Sequence, residues 1–179
     1  MNTTLRHKII LLLLVFLFAA PGLSAYLFYF HPQWLSAPTT NKGQLLNPPV
    51  LLSELNHNDK WQLILWQPST CDATCMTQLD QLARIRLALG RRLYTVDLTL
   101  LQPADAAPIP ATDAATTFQD PGISIVKLSP SESVHLSAVY SQPQFFIANP
   151  DHYLVLAYPV TAEADDLFHD IKLLLVKGN

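Results

Sequence analysis

Residues 61–75 read WQLILWQPSTCDATC, and that run decides the fold. Trp61 to Trp66 is a short apolar stretch between Lys60 and Pro68. Its length and composition fit a strand buried on both faces. Pro68 to Cys75 then opens a helical stretch that lasts to Leu89. Leu79, Leu82, Ala83, Ile85 and Leu89 fall near one helical face, with Asp80, Gln81 and Arg84 turned away. Gly90 stands where a C-terminal cap glycine belongs. Leu93 to Leu100 alternates and is rich in β-formers, which gives a second strand. Strand, helix and strand with short joints make a right-handed βαβ unit.

Working toward the C-terminus, Gln102 to Pro121 is rich in Pro, Ala and Thr and reads as a surface loop, and Gly122 to Leu128 as a short strand. Ser129-Pro-Ser-Glu132 combines an N-cap, a first-turn proline and a glutamate three residues on, so a short helix runs to about Val139. Gln144 to Ala148 and Tyr153 to Tyr158 are strands joined by Asn149-Pro-Asp-His152, which is turn chemistry. A closing helix is expected from about Ala162 to Val176, capped by Thr161, with Leu167, Phe168, Ile171, Leu174 and Leu175 as its core stripe. This order is the thioredoxin-like arrangement, an α/β fold with a central mixed sheet flanked by helices. Pro143, directly before a strand, stands where such folds keep a cis-proline facing the cysteines. The alternative is a proline that only starts a strand.

Working toward the N-terminus, Ile9 to Phe30 contains no charged residue. Twenty-two helical residues span roughly 33 Å, enough for a hydrocarbon core of about 30 Å. Arg6, His7 and Lys8 precede it, and the next Lys or Arg is Lys42. That asymmetry keeps the N-terminus in the cytoplasm and sends residues 31–179 across the inner membrane, which in a bacterium means into the periplasm. Tyr26, Tyr29 and Trp34 suit the far interface. A cleaved signal peptide is the rival, but the run exceeds an h-region, and Leu23 is a poor match at its cleavage site. The expected organisation is therefore a cytoplasmic start (1–8), a transmembrane helix (9–30), a Pro-rich tether and lead-in (31–50) and one folded domain (51–179).

Composition narrows the field. Charged residues make up 14% of the 179, against about 25% in ordinary soluble domains, and the net charge is −3. Without a basic run to neutralise phosphates, a nucleic-acid partner is not expected. No Ser-His-Asp set, phosphate-cradling glycine loop or H-E-x-x-H motif supports a hydrolase or nucleotide reading. The chemistry rests on the only two cysteines, Cys71 and Cys75, at the strand-to-helix junction. Unsatisfied N–H groups and the positive end of the dipole favour thiolate there. Four-residue spacing puts both sulfurs on one face, where they can close a disulfide or hold a soft metal. The spacing exceeds that of a C-x-x-C oxidoreductase, and the wider loop suits a metal ion better. The plain alternative is a stabilising disulfide or two buried hydrophobes.

Anchor, Pro-rich tether, apolar strand, C-x-x-x-C at a helix start and a late strand–N-P-D–strand hairpin together resemble the Sco/SenC family over roughly residues 41–179. Asn41-Lys-Gly-Gln-Leu-Leu-Asn-Pro-Pro49, with Cys71-Asp-Ala-Thr-Cys75 and Ile85-Arg-Leu-Ala-Leu-Gly90, looks still more like a short Sco-related membrane protein encoded beside oxidase assembly genes. The resemblance implies a membrane-anchored thioredoxin-like protein that assists the copper site of cytochrome c oxidase. Its partners would be the lipid bilayer and an oxidase subunit or other assembly factors. Its cargo would be Cu(I), or it would carry no metal and reduce the oxidase cysteines. Copper-binding members add a histidine just before the hairpin, where this chain reads Ala138-Val-Tyr-Ser-Gln-Pro143. His135, the nearest, joins Cys71 and Cys75 only if its helix ends facing them. His152 belongs to the far end of the strands, and Met76 offers a thioether or fills core. Two other classes stand beside the assembly factor: a general periplasmic thiol–disulfide oxidoreductase, and a membrane-tethered binding module with a static disulfide.

Overall fold

A computed structural model describes residues 3–30, 40–55, 58–107 and 123–177. The chain divides into two compact units, residues 1–40 and 41–179. The first holds helix α1 (Thr3–Phe30), whose stretch Leu5–Phe30 is long and apolar enough to cross a membrane. Pro21 lies inside it, and the helix continues through. Nearby, the Ser24 hydroxyl donates to the carbonyls of Ala20 (2.8 Å) and Pro21 (3.0 Å), so it carries no orphan donor in an apolar setting. Trp34 and the expected tether residues 31–39 lie outside the described residues.

The second unit is a six-stranded mixed sheet in the order β1-β6-β5-β2-β3-β4. Its strands are β1 (Gln44–Leu51), β2 (Trp61–Trp66), β3 (Val96–Pro103), β4 (Ile123–Leu128), β5 (Gln144–Ala148) and β6 (Tyr153–Pro159). β2, β3 and β4 run parallel, while β5, β6 and β1 add on antiparallel. Helices α2 (Ala73–Ala88) and α4 (Ala164–Lys177) cover one face, where Leu79, Leu82, Leu167 and Ile171 meet Leu63, Leu65, Leu98, Phe145 and Ile147. Helix α3 (Pro130–Val139) and the segment after β1 cover the other, where Leu136, Leu52 and Leu55 meet Ile64, Trp66, Leu101 and Phe146. This is the thioredoxin-like fold with a mixed sheet flanked by helices.

The structure corrects five expectations. The lead-in is not a tether up to residue 50: β1 pairs with β6, and the folded unit begins at Asn41. Pro48 and Pro49 are tolerated because β1 is an edge strand, and its register shifts between Leu45 and Val50. The strand expected from Leu93 starts at Val96, because Gly90–Thr95 forms a 3₁₀ segment and buried Arg86 donates from Nε to the Val96 carbonyl (2.6 Å). Thr161 does not cap the last helix, which begins at Ala164 after a turn in which Ala162 N–H donates to the Pro159 carbonyl. The capping box at Ser129 is half made. Ser129 Oγ accepts from Glu132 N–H, but Ser129 N–H donates to Glu54, and the Glu132 carboxylate accepts from Ser53. Finally, Asn47–Pro48 is the cis bond among the described residues, and Gln142–Pro143 is trans. Pro143 lies just before β5, where its missing N–H costs no ladder bond. Most of the loop expected over 102–121 falls outside the described residues.

One buried carboxylate ties β1 to the body. Asp170 Oδ2 accepts from the N–H groups of Lys42 (2.7 Å) and Gly43 (2.9 Å) and from the Tyr158 hydroxyl (2.6 Å). Its Oδ1 meets His169 Nδ1 at 3.0 Å. Burial alone would raise the Asp170 pKa, but the bonds from Tyr158, Gly43, His169 and Lys42 outweigh it and hold the carboxyl below its ordinary value. Burial and the same carboxylate push the Tyr158 phenol upward. Gly43 has to be glycine: a Cβ there would fall inside contact distance of the buried Tyr158 ring.

Candidate functional site

The cysteines sit where β2 hands over to α2. Asp72, in extended backbone, is the N-cap, and its Oδ1 accepts from Cys75 N–H at 2.9 Å. Cys71 therefore stands just before the helix and Cys75 in its first turn. A disulfide joins them across a Cα–Cα distance of 5.2 Å. Cys75 is buried in the core under α2, while Cys71 is only half-buried at its margin. Met76 is also half-buried against that core, and its Sδ lies 3.9 Å from Cys71 Sγ.

The loop before Cys71 is held by two residues that the sequence reading passed over. Gln67 and Gln102 come directly after the paired residues Trp66 and Leu101 and are both buried. Gln67 Nε2 donates to Ser69 Oγ (3.1 Å) and to the Thr70 carbonyl (3.3 Å); Gln102 Nε2 reaches the Ser69 carbonyl at 3.5 Å. Gln67 Oε1 is buried without a partner among the described residues. The sequence carries a mark of this, since Gln-Pro follows β2 at 67–68 and closes β3 at 102–103.

The other candidates do not converge on the sulfurs. His135 is exposed on α3 and lines a groove with β1 residues such as Leu45 and Val50, on the opposite face of the sheet from Cys75. Trp66 Nε1 donates to the Tyr140 carbonyl (2.9 Å), which fixes the end of α3 on that face. His135 therefore sits on an element that packs against the other face of the sheet from buried Cys75, with the end of that helix tied to Trp66. Pro143 enters β5 beside the Trp66 end of β2. His152, with φ of 66°, lies in the hairpin turn at the other end of the strands, as expected. Among the described residues no three His, Cys, Asp or Glu side chains gather as a metal site. The three sulfurs of Cys71, Cys75 and Met76 are soft donors of the kind that suits a soft monovalent ion, whereas Cu(II) favours nitrogen and oxygen.

Comparison with solved structures gives the same fold. Apo Sco1 from Thermus thermophilus matches with a TM-score of 0.54 and 18% identity, covering 78% of this chain and 99% of that one. ScoI from Arabidopsis thaliana, solved with copper bound, matches with a TM-score of 0.52 and 14% identity, covering 75% and 98%. No curated protein matches the sequence. A family model described as transmembrane-like, thioredoxin-like, C-terminal domain matches residues 61–177, from the first core strand through the last helix. The chain belongs to this transmembrane-like, thioredoxin-like family.

Proposed function

We propose that this chain is a membrane-anchored Sco-like thiol protein that serves copper-site assembly in cytochrome c oxidase. In this reading α1 spans the inner membrane with Arg6 and Lys8 on the cytoplasmic side, and residues 41–179 work in the periplasm. The observation that carries it is the Cys71–Cys75 pair, with Cys71 half-buried and Cys75 buried, at the N-terminal end of α2 in a thioredoxin-like fold. Reduced, the pair either carries Cu(I) as cargo or reduces an oxidised cysteine pair of the oxidase. In the second case the Cys71 thiolate attacks the partner disulfide and forms a mixed disulfide. Cys75 then displaces the partner sulfur, so two electrons pass to the partner and the disulfide of this chain re-forms.

The deciding experiment is Cu(I) titration of the reduced full-length chain in detergent against a competing chelator. One Cu(I) bound by the parent and none by Cys71→Ser supports the cargo role; no uptake by the parent removes it. His135→Ala is expected to bind as the parent does.

The disulfide present in the structure favours a second reading, a general thiol–disulfide oxidoreductase. A pair that equilibrates with a glutathione buffer supports exchange chemistry; a pair that stays oxidised there leaves a binding module with a structural bridge.

A further inference from the structure

We propose that Met76 completes a three-sulfur Cu(I) site with Cys71 and Cys75 once their disulfide is reduced. This rests on the copper-cargo reading above and adds a ligand to it. The geometry points there directly. Metal–sulfur bonds of about 2.3 Å in a trigonal arrangement hold their sulfurs about 4 Å apart. Met76 Sδ already lies 3.9 Å from Cys71 Sγ. Cys71 precedes the helix while Met76 closes its first turn with an N–H on the Asp72 carbonyl, so both stand at the same helix end. Packing of Met76 against the core holds the thioether there. The Cα atoms of the two cysteines are 5.2 Å apart, so rotation about each Cα–Cβ bond separates the sulfurs with the backbone in place.

Charge favours a thioether as the third donor. Two thiolates and one Cu(I) carry a single net negative charge, which the positive end of α2 accommodates. A neutral methionine sulfur adds no more, and it is soft enough for Cu(I). Asp72, the nearest carboxylate by sequence, is a hard donor and is engaged as the helix cap. Loading needs an external thiol or phosphine reductant. It supplies two electrons to the S–S bond, which leaves two thiols. Cu(I) then binds with release of both thiol protons to solvent, and its own oxidation state does not change.

The chain has two methionines, Met1 and Met76, and that permits a test without mutation. The full-length chain is produced with selenomethionine, reduced in detergent and loaded with Cu(I), and absorption is read at the selenium edge. A copper neighbour at bonding distance from selenium is expected, and Met76→Leu, which keeps Met1, should lose it. In parallel, Met76→Leu, which conserves volume, should lower Cu(I) affinity about tenfold and drop the sulfur count at copper from three to two. Selenium without a copper neighbour, together with parental affinity in Met76→Leu, overturns the assignment while the two-cysteine reading stands. If the parent takes up no Cu(I), the cargo reading falls first and this inference with it.

Discussion

Two junctions hold this fold to its purpose, and they are built in opposite ways. Where β1 enters the body, one buried carboxylate collects Lys42 N–H, Gly43 N–H, the Tyr158 hydroxyl and the His169 ring. Where β2 passes into α2, a disulfide between half-buried Cys71 and buried Cys75 hangs from one cap bond and from side-chain amide bonds of 3.1 to 3.5 Å, with Gln67 Oε1 unpartnered among the described residues. The first junction is over-determined and far in sequence, since Lys42 and Asp170 are 128 residues apart. The second is local, and it leaves Cys71 half-buried at the margin of the core. The difference separates a junction locked by long-range bonds from one held by its near neighbours.

The largest expected effect breaks the first junction. Asp170→Ala leaves four groups without their partner, the Lys42 and Gly43 N–H, the Tyr158 hydroxyl and the His169 ring, and each buried orphan costs about 1–3 kcal/mol. We expect a loss of about 3–5 kcal/mol, read as a drop in thermal midpoint by near-ultraviolet circular dichroism of the full chain in detergent. A loss within error would mean that water replaces the carboxylate. The same group sets an acid limit. Its folded pKa is lowered, so its stabilisation is complete above the unfolded value of about 3.9 and is lost as pH falls through the folded value. Asp170→Asn should flatten the stability profile in that acidic window and leave its shape at neutral pH unchanged.

Gly43→Ala tests the same junction by steric means. The added Cβ would meet the Tyr158 ring, which is buried and tied through its hydroxyl to Asp170 and therefore cannot swing aside. Overpacking of this kind costs about 2 kcal/mol. An unchanged thermal midpoint would show that β1 shifts outward freely.

Neither Gly43 nor Asp170 could be singled out from sequence, and the reason is distance. The βαβ core, Gly90 and the Asn149–His152 turn were legible because their determinants are neighbours along the chain: an apolar run, a helical period, a cap glycine at φ +60°. β1 was hidden because Pro48 and Pro49 read locally as a tether, while its partner β6 lies about a hundred residues on. The start of β3 was hidden too: Leu93 and Tyr94 are β-formers by type, yet both lie in the 3₁₀ segment, and the Arg86 bond to Val96 has no sequence mark. At the site, the cysteines and the helix start were plain. The face on which α3 sits was not, because the Trp66–Tyr140 bond that fixes its end is equally unmarked, and so His135 stayed a candidate.

Reduction of the disulfide should cost less than the loss of Asp170. The bridge closes a loop of only five residues, for which the chain-entropy account gives about 2 kcal/mol at most. Thermal unfolding of the full chain with and without a phosphine reductant measures this. A shift as large as that of Asp170→Ala would erase the contrast between the junctions and make the bridge structural.

The smallest expected effect lies in the reactivity of the thiols. Asp72 caps α2 through Cys75 N–H, and so it holds a negative charge beside two sulfurs whose helix end favours thiolate. Asp72→Asn keeps the cap, because asparagine caps about as well as aspartate, but removes the charge that opposes ionisation. Alkylation of the reduced full chain at neutral pH and low salt should therefore quicken by about two- to fivefold. Cys71, half-exposed, should label before the buried Cys75. Because Asp72 is exposed, added salt should shrink the gain as the Debye length falls to about 3 Å at 1 M. A gain that salt does not touch would mean the substitution acts by loosening the helix start, and slower labelling would mean that the carboxylate assists the thiol rather than restrains it.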